Sequence, residues 1–122
     1  MDTCYNERKL LAENFKASRL VLKALGDDNR QLIFLTLLEA DHEGMRVPEL
    51  MKRTHLSRAA LSHHLRILKE ADLVELRRIG TKNYYYAATA EERWASLHTL
   101  TGQVLAAVRA ARKHGCPHIK EE

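Results

Sequence analysis

Apolar residues recur along most of this chain with the period of an α-helix, and in one stretch with the period of a strand. Between Glu7 and Leu25, the stripe Leu11, Phe15, Ser18, Leu22 and Leu25, flanked by Leu10, Ala17, Val21 and Ala24, predicts one helix with a broad apolar face that Gly26 ends. Asp28, with Gln31 three residues on, fits an acidic N-cap with reciprocal capping and opens a second helix. Its Leu32, Ile33, Leu35, Leu37 and Leu38 are apolar nearly all round, which predicts a central position. His42-Glu43-Gly44 reads as a loop. Pro48 suits the first turn of a short helix from Val47 to Arg53, with Leu50 and Met51 facing inward, and Thr54-His55 turns the chain. Ser57 is then a good N-cap for a longer helix. Leu61, Leu65 and Leu68 recur there at i, i+4 and i+7 beside Ala60, His64, Ile67 and Ala71, while Arg58, Ala59, Ser62, His63, Arg66 and Lys69 occupy the other face.

The period changes after Ala71. Leu73 to Arg78 and Asn83 to Ala87, the second rich in tyrosine, predict two short strands around Ile79-Gly80-Thr81-Lys82, where Gly80 supplies the positive φ of a tight turn. A last helix follows from Ala90 to His114, with Trp94, Leu97, Thr101, Val104, Val108 and Ala111 on one stripe and Leu100, Leu105 and Ala107 widening it. The expected fold is therefore mainly α with a two-stranded β-hairpin. A short helix, a tight turn and a longer helix within about 47–71 make a helix-turn-helix, and the hairpin within about 73–87 is its wing. Together with the last helix at about 90–114 they make a single winged-helix DNA-binding domain over 1–122. The last helix has no intrachain partner of matching length except the first. Either the two pack within one subunit, or both are buried across a two-fold axis in a homodimer, the commoner solution for small proteins and a match to paired DNA half-sites.

Charge gives the exposed end a partner. From Arg46 to Lys82 there are nine Arg or Lys (46, 52, 53, 58, 66, 69, 77, 78 and 82) against four acids, Glu49, Glu70, Asp72 and Glu75. The whole chain carries only +4, so the positive balance is concentrated in this segment. A basic segment on an otherwise neutral chain fits contact with phosphates, where a uniform bias would mean little beyond solubility. With 122 residues, 45% hydrophobic and 30% charged, the chain is long enough for one domain with a modest core. No apolar run approaches the ~18 residues of a membrane span, and the polar start MDTCYNERK is not a secretory signal, so a cytoplasmic location without membrane contact is expected. Cys4 and Cys116 stand at opposite ends and imply no disulfide framework. The chain offers no glycine-rich phosphate loop, no His-Glu-x-x-His and no clustered carboxylates, which argues against an enzyme. The readings left are a sequence-specific regulator and a non-sequence-specific architectural DNA-binding protein.

The order of elements, with Leu22-Lys23-Ala24-Leu25-Gly26-Asp27 and Arg30, Ser62-His63-His64-Leu65-Arg66-Ile67-Leu68-Lys69-Glu70-Ala71, Leu73-Val74, Gly80 and Tyr84-Tyr85, resembles the ArsR/SmtB family of bacterial transcriptional repressors over about residues 15 to 110. The resemblance implies a homodimer that binds a double-stranded operator near its own promoter, needs no cofactor to do so, and lets go when an effector arrives. It gives sequence-reading roles to Arg58, Ala59, Ser62 and His63, and phosphate roles to Arg66, Arg77, Arg78 and Lys82. On the residues themselves, Ser62 and His63 can offer donors and acceptors to base edges, and Arg58 suits either a guanine or a phosphate. His64, at the edge of the apolar face, reads as a packed and hydrogen-bonded residue. The wing tyrosines are strand formers first, and those on an exposed face can reach DNA.

The effector is less determined. Metal-sensing members of the family carry a cysteine motif on the short third helix, where this chain has Arg46-Val47-Pro48-Glu49-Leu50, and others use acidic and His ligands along the last helix, at positions that fall here on Thr89, Glu91, Gly102 and Leu105. Neither set can build a zinc shell. The tail His114-Gly115-Cys116-Pro117-His118 offers a compact thiolate and two imidazoles for zinc or copper(I), with Cys4 as a further ligand or disulfide partner. The alternatives are thiol redox sensing, an organic ligand at the dimer interface, and a tail whose thiol is incidental.

Overall fold

The computed structural model describes residues 3–40, 43–88 and 90–114. They form α1 (Thr3–Ala17), α2 (Arg19–Leu25), α3 (Asp28–Glu39), α4 (Val47–Thr54), α5 (Arg58–Glu70), β1 (Val74–Ile79), β2 (Lys82–Ala87) and α6 (Glu91–His114). The architecture is mainly helical with one two-stranded antiparallel sheet. The chain divides into two compact units, one of Met1–Arg19 with Trp94–Glu122 and one of Leu20–Arg93.

In the first unit α1 and α6 are helical as expected, but the helix expected over Glu7 to Leu25 is two helices. The break is at Ser18, whose N–H is shared between Asn14 O at 3.2 Å and Phe15 O at 3.0 Å. Sharing an amide between the i−4 and i−3 carbonyls tightens the last turn of α1 and stops its ladder. Ser18 itself is buried. Asn14 donates to Gln103 Oε1, joining α1 to α6. Leu100 and Ala111 of α6 are buried, whereas Leu10, Phe15, Val104, Leu105 and Val108 remain exposed along the two helices.

In the second unit, the cap of α3 lies one residue before the expected Asp28. Asp27, in extended conformation, accepts through Oδ1 from Asn29 N at 2.9 Å and Arg30 N at 3.1 Å. Asp28 is instead a first-turn acid beside the positive end of the helix dipole. Gln31 does not reach back to the cap; its Nε2 donates to Leu25 O at 2.6 Å. Nor is α3 buried all round. Ile33, Phe34 and Leu37 face the core, while Leu32, Leu35 and Leu38 are exposed on the opposite side.

The core of this unit is built on α5. Leu61, Leu65 and Leu68 are buried where α5 packs on α3, α4 and β1, and Ile33 and Leu37 of α3, Leu50 of α4, and Leu73 and Val74 at the start of the hairpin are buried with them. Each such leucine stabilises the fold by about 1.5–3 kcal/mol through burial alone. The helix ends in a left-handed cap, with Asp72 (φ 59) donating to Lys69 O at 3.0 Å and Leu73 N–H reaching Leu68 O at 3.0 Å. This 6→1 and 5→2 pattern usually carries glycine. Asp72 also accepts from Arg93 Nε at 2.9 Å.

β1 and β2 pair from Val74↔Ala87 to Ile79↔Lys82. Gly80 (φ +65) is the first central residue of the two-residue turn, and Thr81 keeps negative φ, as a type II′ turn requires. Just past the loop expected at 42–44, Met45 bridges β2. Met45 N–H donates to Tyr85 O at 2.9 Å and Tyr85 N–H to Met45 O at 2.8 Å, a rung outside the β1–β2 ladder that ties this segment to the base of the hairpin.

Candidate nucleic-acid interface

Ser57 sets the start of α5, its Oγ accepting from Ala60 N at 3.1 Å. With Leu61, Leu65 and Leu68 turned inward, the helical period leaves Arg58, Ala59, Ser62, His63 and Arg66 exposed on the opposite face. The preceding turn is tight. His55 adopts the left-handed conformation at φ 60 and its N–H closes α4 on Met51 O at 2.9 Å, while Thr54 Oγ1, itself bonded to Leu50 O at 2.6 Å, accepts weakly from Leu56 N at 3.4 Å. α4 thus braces α5 through a three-residue turn, with one polar face of α5 left for solvent or a major groove.

Arg77, Arg78 and Lys82 are exposed on the wing, but not equivalently. Strand alternation puts Glu75, Arg77 and Ile79 on one face with Tyr86, Tyr84 and Lys82. There Arg77 donates to Glu75 Oε1, and its guanidinium carbon lies 4.6 Å from the centre of the Tyr86 ring. Arg77, expected at a phosphate, is therefore engaged within the chain by an ion pair and a cation–π contact. Arg78, on the other face, donates through Nε to Gly80 O at 3.3 Å, across the tip. Lys82 stands opposite Ile79 at the turn, beside an apolar side chain that is 58% exposed. All three tyrosines are half-buried.

His64 is half-buried, as its place at the edge of the apolar face suggests, and its Nδ1 lies 3.2 Å from Arg30 Nη1. Arg30 also donates through Nε to Ala24 O at 2.9 Å and through Nη2 to Lys23 O at 3.1 Å. Burial pushes the His64 ring below the ordinary imidazole value; the charges of Arg30 and His63 act the same way and Asp27 opposes them. The Asp27 carboxyl is itself held below the usual carboxylate range, first by the Arg30 backbone N–H it accepts, with desolvation opposing. Sequence reasoning placed Arg30 within a motif without finding this contact. The signal available was an arginine at an otherwise buried helical phase, which requires partners for its charge.

Of the residues proposed for an effector, Cys116 and His118 lie outside the described residues, as do the side chains of Cys4 and His114 and the whole of Thr89. Among the described residues no three His, Cys, Asp or Glu side chains gather as a metal site would need. No helix among them is long and apolar enough to cross a membrane.

A capped helix with an exposed polar face, braced by a short helix and followed by a basic hairpin with a glycine tip, defines a winged helix-turn-helix DNA-binding protein. Residues 27–75 match the family described as bacterial regulatory protein, arsR family. The chain is 38% identical, over 74 residues that are 61% of its length and 81% of the relative's, to an uncharacterized HTH-type transcriptional regulator of Methanocaldococcus jannaschii. Its structure is similar to that of HlyU from Vibrio cholerae, with TM-score 0.55, 32% identity, and coverage of 70% of this chain and 92% of that one. It is also similar to an ArsR-like transcriptional regulator from Rhodococcus sp. RHA1, with TM-score 0.66, 29% identity, and coverage of 86% and 97%. The chain belongs to the ArsR family, and is a DNA-binding transcriptional regulator rather than an enzyme.

Proposed function

We propose that the chain is a sequence-specific repressor that binds its operator in the cytoplasm as a homodimer and is released by an effector. The observation that carries this reading is the exposed face of α5, where Arg58, Ala59, Ser62 and His63 stand together, with phosphate contacts supplied by Arg66 of the same helix and by Arg77, Arg78 and Lys82 of the wing. Dimerisation is supported by what α1 and α6 leave uncovered. Phe15 and Val104 line an apolar cleft on one side of α1, and Leu10 with Ala106, Ala107 and Ala110 lines another. A second copy of these helices would cover both, and each newly buried leucine-sized side chain would add about 1.5–3 kcal/mol.

The test is selection of duplexes from a random pool by the full-length protein, followed by footprinting and sedimentation of the complex. The expected result is an imperfect palindrome with half-site centres about one helical turn apart, bound by two chains. If the dimer neutralises about six to eight phosphates, log K falls against log salt with a slope near −5 to −7. A pool without a consensus, or a flat salt response, overturns the reading.

A further inference from the structure

One polar contact ties α5 to the N-terminal part of its unit, and it lands next to a residue placed at the DNA. Two of the bonds of Arg30 hold the Lys23 and Ala24 carbonyls at the end of α2, where a cation is favoured by the helix dipole. Its third hydrogen bond, from Nη1, crosses to His64 on α5. A guanidinium has donors and no acceptor, so Nδ1 of His64 accepts and the neutral ring carries its proton on Nε2. When Nδ1 is protonated, two donors and two positive charges face each other and the bond is lost.

We propose that Arg30 is a positioning residue for DNA recognition, and that loss of its contact with protonated His64 makes operator binding weaken on acidification. The proposal rests on α5 being the recognition helix. His64 adjoins His63 and lies two residues from Ser62, so movement of α5 at His64 is carried directly to the side chains placed at base edges. The charged and titratable groups facing the ring are Arg30 and Asp27 from α3 and its cap, and His63 from α5 itself, with ring centres 5.4 Å apart. Asp27 favours the added proton; burial, Arg30 and His63 oppose it, which keeps the contact intact at neutral pH. The sign of the effect is diagnostic. Protonating an exposed histidine adds positive charge and strengthens binding to phosphates, so binding that weakens with acid requires a group whose proton disturbs the structure.

The experiment measures affinity by fluorescence anisotropy at fixed salt between about pH 7.5 and 5.5, where histidines titrate, using the full-length protein and a duplex it selects from a random pool. Wild type is expected to lose affinity about five-fold or more, with an unchanged circular dichroism spectrum. His64→Asn places Oδ1 where Nδ1 stood and carries no titrating proton, so its affinity stays level or rises with acid; His63→Asn keeps the acid loss. Nitrogen shifts of the wild-type rings, measured by NMR without DNA, are expected to show His64 as the Nε2–H tautomer at neutral pH, titrating below the ordinary imidazole value. Wild-type affinity that rises with acid in parallel with His64→Asn, or a His64 ring protonated on Nδ1 at neutral pH, overturns the proposal. If selection yields no consensus, the sequence-specific reading fails by itself, and the same pH comparison on the unselected pool still decides this one.

Discussion

Gly44 and Gly80 share a left-handed backbone, φ +72 and +65, but not an environment, so alanine at each separates conformational cost from steric cost. A Cβ at Gly80 would meet nothing within 4 Å. Gly80→Ala therefore pays for the left-handed conformation alone, about 1–2 kcal/mol. A Cβ at Gly44 would lie 2.6 Å from Tyr85 O and 2.8 Å from Cε1 and Cζ of Tyr86. The ring can swing away, but the Tyr85 carbonyl is backbone and accepts from Met45 N–H in the rung that fixes the base of the wing. Relieving the overlap must move β2 or the Gly44–Met45 segment and strain both hydrogen bonds of that rung, adding about 1–3 kcal/mol. The expected total is about 2–5 kcal/mol for Gly44→Ala, a large part of the ~5–15 kcal/mol of a typical domain. Urea unfolding followed by circular dichroism, at one protein concentration so that association is held fixed, reads both variants. Equal losses, or a larger loss at Gly80, would show that the Met45–Tyr85 rung does not constrain Gly44 and would refute the argument.

Other perturbations follow from the same geometry. Ser62→Ala and His63→Ala are expected to reduce discrimination among operator variants by ~1–3 kcal/mol, whereas Lys82→Ala weakens all duplexes about equally and lowers the salt slope by about one unit per contact; the reverse pattern in competition binding would exchange the roles of helix and wing. His55→Gly relieves the left-handed residue between α4 and α5 and should raise the urea midpoint by the equivalent of about 1 kcal/mol, with no rise if the turn differs in solution. The lowered His64 titration predicts that its contribution to stability is complete above the ordinary value of 6.5 and is lost as pH falls below it, because the unfolded chain then takes up the proton first. Asp27, lowered from 3.8, adds stability above that value that is lost as pH falls through its depressed folded value. Stability measured against pH should accordingly show a mildly acidic limb that His64→Asn flattens and a more acidic one that Asp27→Ala removes. Release from the operator by zinc, copper(I), peroxide or a persulfide donor is expected to depend on Cys116, and full release in a Cys4→Ser, Cys116→Ser double variant would move the effector site elsewhere.

The local signals in this chain were strong where one residue's chemistry decides the backbone. Ser57 caps α5, Gly80 makes the turn of the wing, and the leucines at 61, 65 and 68 choose which face of α5 is left exposed. Each depends on neighbours within about two helical turns, which periodicity and capping rules already describe. The same rules erred by one residue at the start of α3 because Asp27 and Asp28 are equally good caps by composition. What separates them is the extended backbone of Asp27 and the Arg30 amide it meets.

What stayed hidden depends on contacts between segments distant in sequence. The Met45–Tyr85 rung joins residues 40 apart, and neither type announces it; Gly44 was the trace it left, readable only as a loop glycine until the carbonyl that excludes a Cβ is known. Arg77 counts as one positive charge in the sequence, yet Glu75 and the Tyr86 ring occupy part of its guanidinium once the strands pair. Arg30 runs the same way in reverse. Its charge looks like a solvent signal in an apolar helix, but with two carbonyls of α2 and the His64 ring as partners the buried cation is satisfied and ties α5 to α2 and α3. A buried charge costs several kcal/mol unless it is paired, and Arg30 is paired three times over, so removing it leaves the Lys23 and Ala24 carbonyls and His64 Nδ1 without their donor and is expected to disturb the placement of α5 more than a single charge suggests.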